Sequence, residues 1–266
     1  MVVGLPERLQ ERLEALEIGL LQQIESQTSD DDKRSILALE TACRDVFGSF
    51  VYLEIGSHLG GSLQSLVTDP RCEAIFSIDP RPVIVPDNRW EEGYEYPDNS
   101  TTRMLGLLEQ LDGADLGKLR TFEATTRELS PSAITSPPHL CFIDGEHTNP
   151  AAACDADFCR AVARVPGVIA FHDAPVVAPA IGRFLEESGA FGYRLRDLIF
   201  VVEFGGKQIF DHPLIRQMTF HRREWIWANR LGVASRMAGD ASPLMAMRDR
   251  WQLRTRLRRL LGTLSR

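Results

Sequence analysis

Between residues 50 and 190, short apolar runs rich in β-branched and aromatic residues alternate with stretches whose apolar positions recur every three or four residues. Unbroken apolar runs of this length read as buried strands, and the longer spacing reads as helix. The strongest strand signals are 50–55, 74–79, 139–144 and 167–172. A weak one lies at 119–123, and 193–195 and 199–204 form a final pair. Helices are predicted over 61–68, 100–112, 150–164 and 176–188. Residues 80–98 are rich in proline, acids and aromatics without periodicity and read as a loop or lid carrying Trp90, Tyr94 and Tyr96. Strand–helix alternation predicts an α/β fold, a doubly wound and mostly parallel seven-stranded sheet with helices on both faces.

The flanks differ from this core. Leu9, Leu13, Leu16, Leu20 and Ile24 share one face if residues 5–28 are helical. Such a stripe packs on its own domain or between two copies of the chain, making a homo-oligomer. Ser29-Asp30-Asp31-Asp32-Lys33 breaks the stripe and suits the cap of a helix over 33–47. The expected organisation is a helical N-terminal extension (1–47), a central α/β domain (48–210) and a helical C-terminal appendage (211–266).

Charge sharpens the picture. From residue 221 onward eleven arginines face Glu224, Asp240 and Asp249, a surplus of eight positive charges in a chain whose net charge is −7. The rest is therefore strongly acidic, which argues against a nucleic-acid partner. The basic tail, with Trp251, Leu257, Leu260, Leu261 and Leu264 among its arginines, suits a peripheral contact with an anionic membrane or an acidic partner. It suits equally a face docked on the acidic body or on a second subunit. No run approaches the roughly 18 apolar residues of a membrane span. The N-terminus lacks a secretory pattern, and the five cysteines are odd in number with no Cys-x-x-Cys pair. Together these point to reduced thiols in a cytoplasmic protein.

In open α/β sheets, ligands bind beyond the carboxyl ends of the strands. The first strand runs into Glu54-Ile55-Gly56-Ser57-His58-Leu59-Gly60-Gly61-Ser62. Gly56 permits a sharp turn and close backbone approach, and the helix start beyond Gly60 and Gly61 offers N–H donors to an anionic group. A dinucleotide fingerprint needs glycine where His58 stands, and a P-loop needs a lysine before Ser62. Asp79 ends the next strand, where a carboxylate can accept both hydroxyls of a ribose. The pair points to a nucleoside-type ligand.

The second constellation lies at two later strand ends. Phe142-Ile143-Asp144-Gly145-Glu146-His147-Thr148 and Ala170-Phe171-His172-Asp173 bring five ionisable groups to two short turns. Grouping them there costs desolvation unless they bind something. A histidine of near-neutral pKa suits general-base removal of a proton, and carboxylates suit a divalent metal.

Glu54–Ser62 resembles the first motif of class I S-adenosylmethionine-dependent methyltransferases, and Asp79 resembles their ribose-binding acid. The phrase from Phe142 to Thr148, followed by Ala170–Asp173, looks like the family-24 methyltransferases, which include natural-product and sugar O-methyltransferases. The resemblance spans roughly 48–205 and implies a Rossmann-like sheet that binds S-adenosylmethionine and methylates a small-molecule acceptor at oxygen. It implies that Glu54, Gly56, Ser57, Gly60 and Ser62 surround the methionine end of the cofactor, Asp79 the ribose, and Thr125 and Asp144 complete the cofactor contacts. Thr125 stands where that family often has an acid. The resemblance makes Asp144, Asp173 and His172 candidate ligands of Mg²⁺, with His147 the candidate base beside Asp144.

Two other readings stay open at this stage. A nicotinamide-dependent oxidoreductase shares the fold, but His58 and the acid–histidine cluster count against it. A non-catalytic scaffold that kept the fold has no need of convergent ionisable groups.

Overall fold

The computed structural model describes residues 7–219. The arginine-rich tail, and with it most of the expected C-terminal appendage, lies outside the described residues. Nine strands are described: β1 Phe50–Ile55, β2 Cys72–Ile78, β3 Ile84–Asp87, β4 Trp90–Glu95, β5 Leu119–Phe122, β6 Leu140–Ile143, β7 Gly167–Phe171, β8 Phe191–Arg194 and β9 Phe200–Phe204. The helices are α1 Glu7–Glu14, α2 Asp30–Phe47, α3 Gln64–Thr68, α4 Thr101–Leu108, α5 Asn149–Val162, α6 Ala178–Ser188 and α7 Pro213–Met218. Seven strands form one sheet in the order β5-β2-β1-β6-β7-β9-β8, parallel except for β9, which is antiparallel to β7 and β8. The chain order reverses between β1 and β6, the kind of switch point at which doubly wound sheets bind ligands.

A parallel sheet must be covered on both faces. Phe50, Tyr52, Leu140, Phe142, Val168 and Ala170 share one core with Ile36, Leu37, Leu39 and Cys43 of α2. The alternate residues Val51, Leu53, Cys141, Ile143, Ile169 and Phe171 are equally buried and face the opposite side, where Phe184 of α6 stacks edge-on against Phe171 and Phe204. The two faces explain why the strands read as unbroken apolar runs. The five cysteines are unpaired, and no helix among the described residues is long and apolar enough to cross a membrane.

The strands agree with the sequence pattern to within a residue or two, and several other elements differ; α4, expected over 100–112, ends at Leu108. The helix expected over 5–28 stops at Glu14. Leu16 takes a positive φ of 51°, a 3₁₀ turn covers Ile18–Leu21, and Arg12 clamps the turn through two hydrogen bonds to Glu17. Leu13, Leu16, Leu21 and Ile24 are still buried, so the apolar spacing serves a helix–turn–coil path rather than one rod. The cap at Ser29 starts α2 three residues earlier than expected, through a reciprocal capping box with Asp32. Residues 80–98 contain an antiparallel hairpin, β3–β4, with Val85 opposite Tyr94 and Asp87 opposite Trp90.

Candidate active site at the carboxyl edge of the sheet

Four strand ends stop at one level. The N–H of Asp79 donates to Phe122 O, that of Gly56 to Ile78 O, that of Asp144 to Ile55 O and that of His172 to Ile143 O. Each bond extends the ladder one residue past its strand. The two sequence motifs therefore lie along one continuous edge.

The first half is a backbone turn. Gly56 has φ +87°, and a Cβ there would lie 2.3 Å from Asp144 O; only glycine lets β1 turn this close to the β6 exit. Gly60 has φ +83°, and its N–H closes the turn on Ser57 O. The helix expected from residue 61 begins at Gln64 because this turn occupies 57–63. A Cβ on Gly61 would lie 2.4 Å from Ser26 Cβ, so the N-terminal segment packs directly on the turn. Gln64 pins it there, accepting hydrogen bonds from the N–H groups of Gln23 and Ile24.

Two acids stand at this turn. Glu54 is buried, accepts a hydrogen bond from Ser62 Oγ and a second from Tyr52 Oη at 3.3 Å. Burial, helped by the charge of Asp144, pushes its pKa up to about 8. Asp79 accepts from the N–H of His58 at 2.9 Å and of Arg81 at 2.8 Å, and pairs with the Arg81 guanidinium at 3.2 Å. Arg81 also donates to Ser57 Oγ at 3.0 Å and to His58 O. It thus lies across the predicted cofactor turn, a role its isolated place after Asp79-Pro80 gave no sign of. Glu54, Gly56, Ser57, Gly60, Ser62 and Asp79 are brought together. Thr125 caps a turn after β5, its N–H and Oγ1 both bonding Glu128, at 2.9 and 2.8 Å.

The second half is a network of charges. His172 is buried with Nδ1 2.7 Å from Asp144 Oδ1 and Nε2 3.3 Å from Asp32 Oδ2 of α2. His147 Nε2 lies 3.1 Å from Asp173 Oδ2 and 3.4 Å from Asp144 Oδ1. Its Nδ1 lies 3.1 Å from Asp87 Oδ2 and 3.0 Å from Arg89 Nη2, both on the hairpin. Arg89 grips Asp87 with Nε and Nη2 and reaches Asp173 Oδ2 at 2.8 Å with Nη1. Asp173 itself has a positive φ of 48°, uncommon without glycine and frequent where a functional geometry is imposed. Glu146 turns away, accepting from Thr148 Oγ1.

Mutual pairing dominates the titration. Burial by itself would lower the His147 pKa, but hydrogen bonds to Asp144 and Asp87 outweigh it and lift the group to about 9. His172 is raised in the same way, by Asp144 and Asp32. Burial would raise Asp144; the His172 and His147 charges instead hold it well below the usual carboxylate range. The sequence pattern identified Asp144, His147, His172 and Asp173 but missed Asp32, Asp87 and Arg89. Asp32 was legible only as a cap. Asp87 and Arg89 stood in a stretch read as a loop, although Val83-Ile84-Val85 and the aromatic run after Asn88 carried a hairpin signal.

The residues suit a divalent cation. Donor atoms of Asp144, His147 and His172 lie within 4.8 Å of one another, Asp173 adjoins them, and Asp173 Oδ1 is buried with no hydrogen-bond partner. Carboxylates with imidazoles suit a transition ion as well as Mg²⁺.

Residues 53–174 match the family model described as a methyltransferase domain. A comparison with curated proteins finds no match. Among solved structures, the calicheamicin methyltransferase CalS11 is similar, with a TM-score of 0.51 and 15% identity over 77% of this chain and 95% of that one. The O-methyltransferase TomG from Streptomyces achromogenes, in complex with SAM, gives 0.47 and 15% over 77% and 93%. The MycE methyltransferase, in complex with Mg and SAH, gives 0.47 and 13% over 73% and 54%. The matched segment runs from within β1 to the turn after β7 and so holds both strand-end motifs, and the fold of the chain is similar to that of the CalS11 methyltransferase.

Proposed function

We propose that the protein transfers the methyl group of S-adenosylmethionine to a hydroxyl oxygen of a small-molecule acceptor. One observation carries the reading: an acid pair at the β1 and β2 ends and an acid–histidine cluster at the β6 and β7 ends share one edge across the switch point. The first suits a nucleoside with an amino-acid tail, the second an acceptor that must lose a proton. When bound, S-adenosylmethionine supplies a methyl already activated by its sulfonium.

The chain's own work is alignment, proton handling and exclusion of water. Glu54 and the N–H groups of the 56–63 turn hold the methionine end, and Asp79 takes the ribose hydroxyls once Arg81 yields its pairing. Asp144 and Asp173, with His172, would hold a divalent ion such as Mg²⁺, whose chemistry there would be Lewis-acid polarisation of the acceptor hydroxyl. His147 takes the acceptor proton and Asp87 fixes its ring. Because its carboxylate partners raise His147 to about 9, turnover without added metal should climb through alkaline pH as the ring loses its proton.

The test is transfer of labelled methyl from S-adenosylmethionine to a panel of hydroxylated sugars, polyketides and phenols. Product from any of them, lost in His147→Ala and reduced by chelator, supports the full reading. Undiminished turnover in His147→Ala removes the base, and turnover indifferent to chelator removes the metal.

A further inference from the structure

The hairpin's inner and outer sides differ in kind. Val83 and Ile84 are more than half exposed, and Trp90 and Tyr94 more than a third. Apart from Asp87 no residue of β3 or β4 is buried. A two-stranded ribbon without an apolar footing is marginal in water. What fastens this one is polar: the backbone bridge between Asp87 and His147, the Asn88 N–H bond to His147 O, and the Arg89 guanidinium on Asp87, Asp173 and His147. Tyr96, at its base, packs against the His58 ring.

The position of Arg89 is itself informative. Four carboxylates, Asp32, Asp87, Asp144 and Asp173, meet two imidazoles and one guanidinium. Asp173 bonds Arg89 through Oδ2 and His147 through the same oxygen, while Oδ1 stays unpartnered. A divalent ion taking the carboxylates of Asp173 and Asp144 would place two further positive charges within a few ångströms of the guanidinium. At that range like charges in a poorly solvated site repel strongly. Arg89 and the ion therefore compete for one set of carboxylates.

We propose that the β3–β4 hairpin is a charge-latched lid: Arg89 serves as the cation of the closed site, and a divalent ion displaces it and frees the hairpin to open towards the acceptor. The proposal rests on the reading of Asp144, Asp173 and His172 as the cation-binding end of the methyltransferase site. The latch gives the hairpin a reason to carry apolar and aromatic residues on its outside, where a mobile lid can turn them onto an acceptor.

The test uses the full chain and Mn²⁺ as probe. Free Mn²⁺ is followed by electron paramagnetic resonance against wild type, Arg89→Met, Arg89→Lys and the Arg89→Met/Asp144→Asn double variant. Hydrogen exchange of the 84–95 amides is measured in wild type with and without Mn²⁺. A latch that holds most molecules closed weakens apparent affinity by the open fraction, so Arg89→Met should bind Mn²⁺ about tenfold tighter or more. Arg89→Lys should stay near wild type, and the double variant should lose the gain. Saturating Mn²⁺ should speed exchange in the hairpin and not in β6 or β7. Equal affinity in wild type and Arg89→Met, a gain that survives Asp144→Asn, or hairpin exchange unmoved by bound Mn²⁺ would each overturn the latch while leaving a metal site standing. No Mn²⁺ binding in any variant overturns the latch and the metal together, and S-adenosylmethionine binding by the same samples shows that the methyltransferase reading survives.

Discussion

The two halves of the site are built in opposite ways. The turn from Glu54 to Ser62 is local: nine consecutive residues, two of them glycines at positive φ, fold against the neighbouring strand ends. The acid–histidine half is assembled from distance. Asp32 comes from α2, Asp87 and Arg89 from the hairpin, and the rest from the β6 and β7 exits. A local turn depends on backbone shape and fails when one atom is added. A distributed charge network depends on balance and shifts with pH and with bound cations. The comparison teaches that one sheet edge can be held at one half by sterics and at the other by electrostatics.

The largest effect should come from the steric half. Gly56→Ala places a Cβ 2.3 Å from a backbone oxygen at φ +87°. Both the clash and the left-handed backbone must be relieved, so denaturant unfolding should show a loss of about 3 kcal/mol or more. A variant as stable as wild type would mean that the β1 and β6 exits are not packed as described. Next, Asp79→Ala removes a carboxylate that already accepts two backbone N–H bonds. S-adenosylmethionine affinity should drop by about tenfold to a hundredfold, the worth of a charged hydrogen bond, and calorimetry would register it.

The electrostatic half should respond to pH. His147 is raised to about 9, and the buried Glu40 and Glu54 to about 8. A folded-state pKa above the ordinary value means protons are held more tightly in the native state, so these contributions fade as pH rises through those values. Asp144, Asp87 and Asp32 are lowered, and theirs fade as pH falls below the ordinary carboxylate value. Unfolding midpoints should peak at about pH 5 and decline towards pH 9; a flat profile would break the charge-network account. Glu40→Gln, which replaces the buried acid that accepts from Ser65 Oγ, should make the decline shallower. The smallest effect belongs to Trp90→Ala. The ring is 41% exposed, so stability should stay within about 0.5 kcal/mol of wild type, and a larger loss would mean the hairpin has an apolar footing after all.

The same contrast decided what could be read in advance. The strands β1, β6 and β7 are buried on both faces, so burial wrote itself into unbroken apolar runs. The glycine turn was legible because its requirements are backbone requirements met within nine residues. Leu16 deceived the periodicity, since buried leucines every three or four residues look alike on a helix and on a turn that leads into coil. The hairpin hid because Pro82, Pro86 and its outward aromatics blur strand alternation, and its one buried residue is an aspartate. Asp32 could not be connected to His172, 140 residues away, by any local signal. Its capping role was visible and its charge contact was not.

The most direct test is calorimetric titration of the full chain with S-adenosylmethionine and then S-adenosylhomocysteine, each with Mg²⁺ and with chelator. The account predicts micromolar binding of both, weakened by Asp79→Ala. Absence of binding by either ligand to folded protein would contradict it.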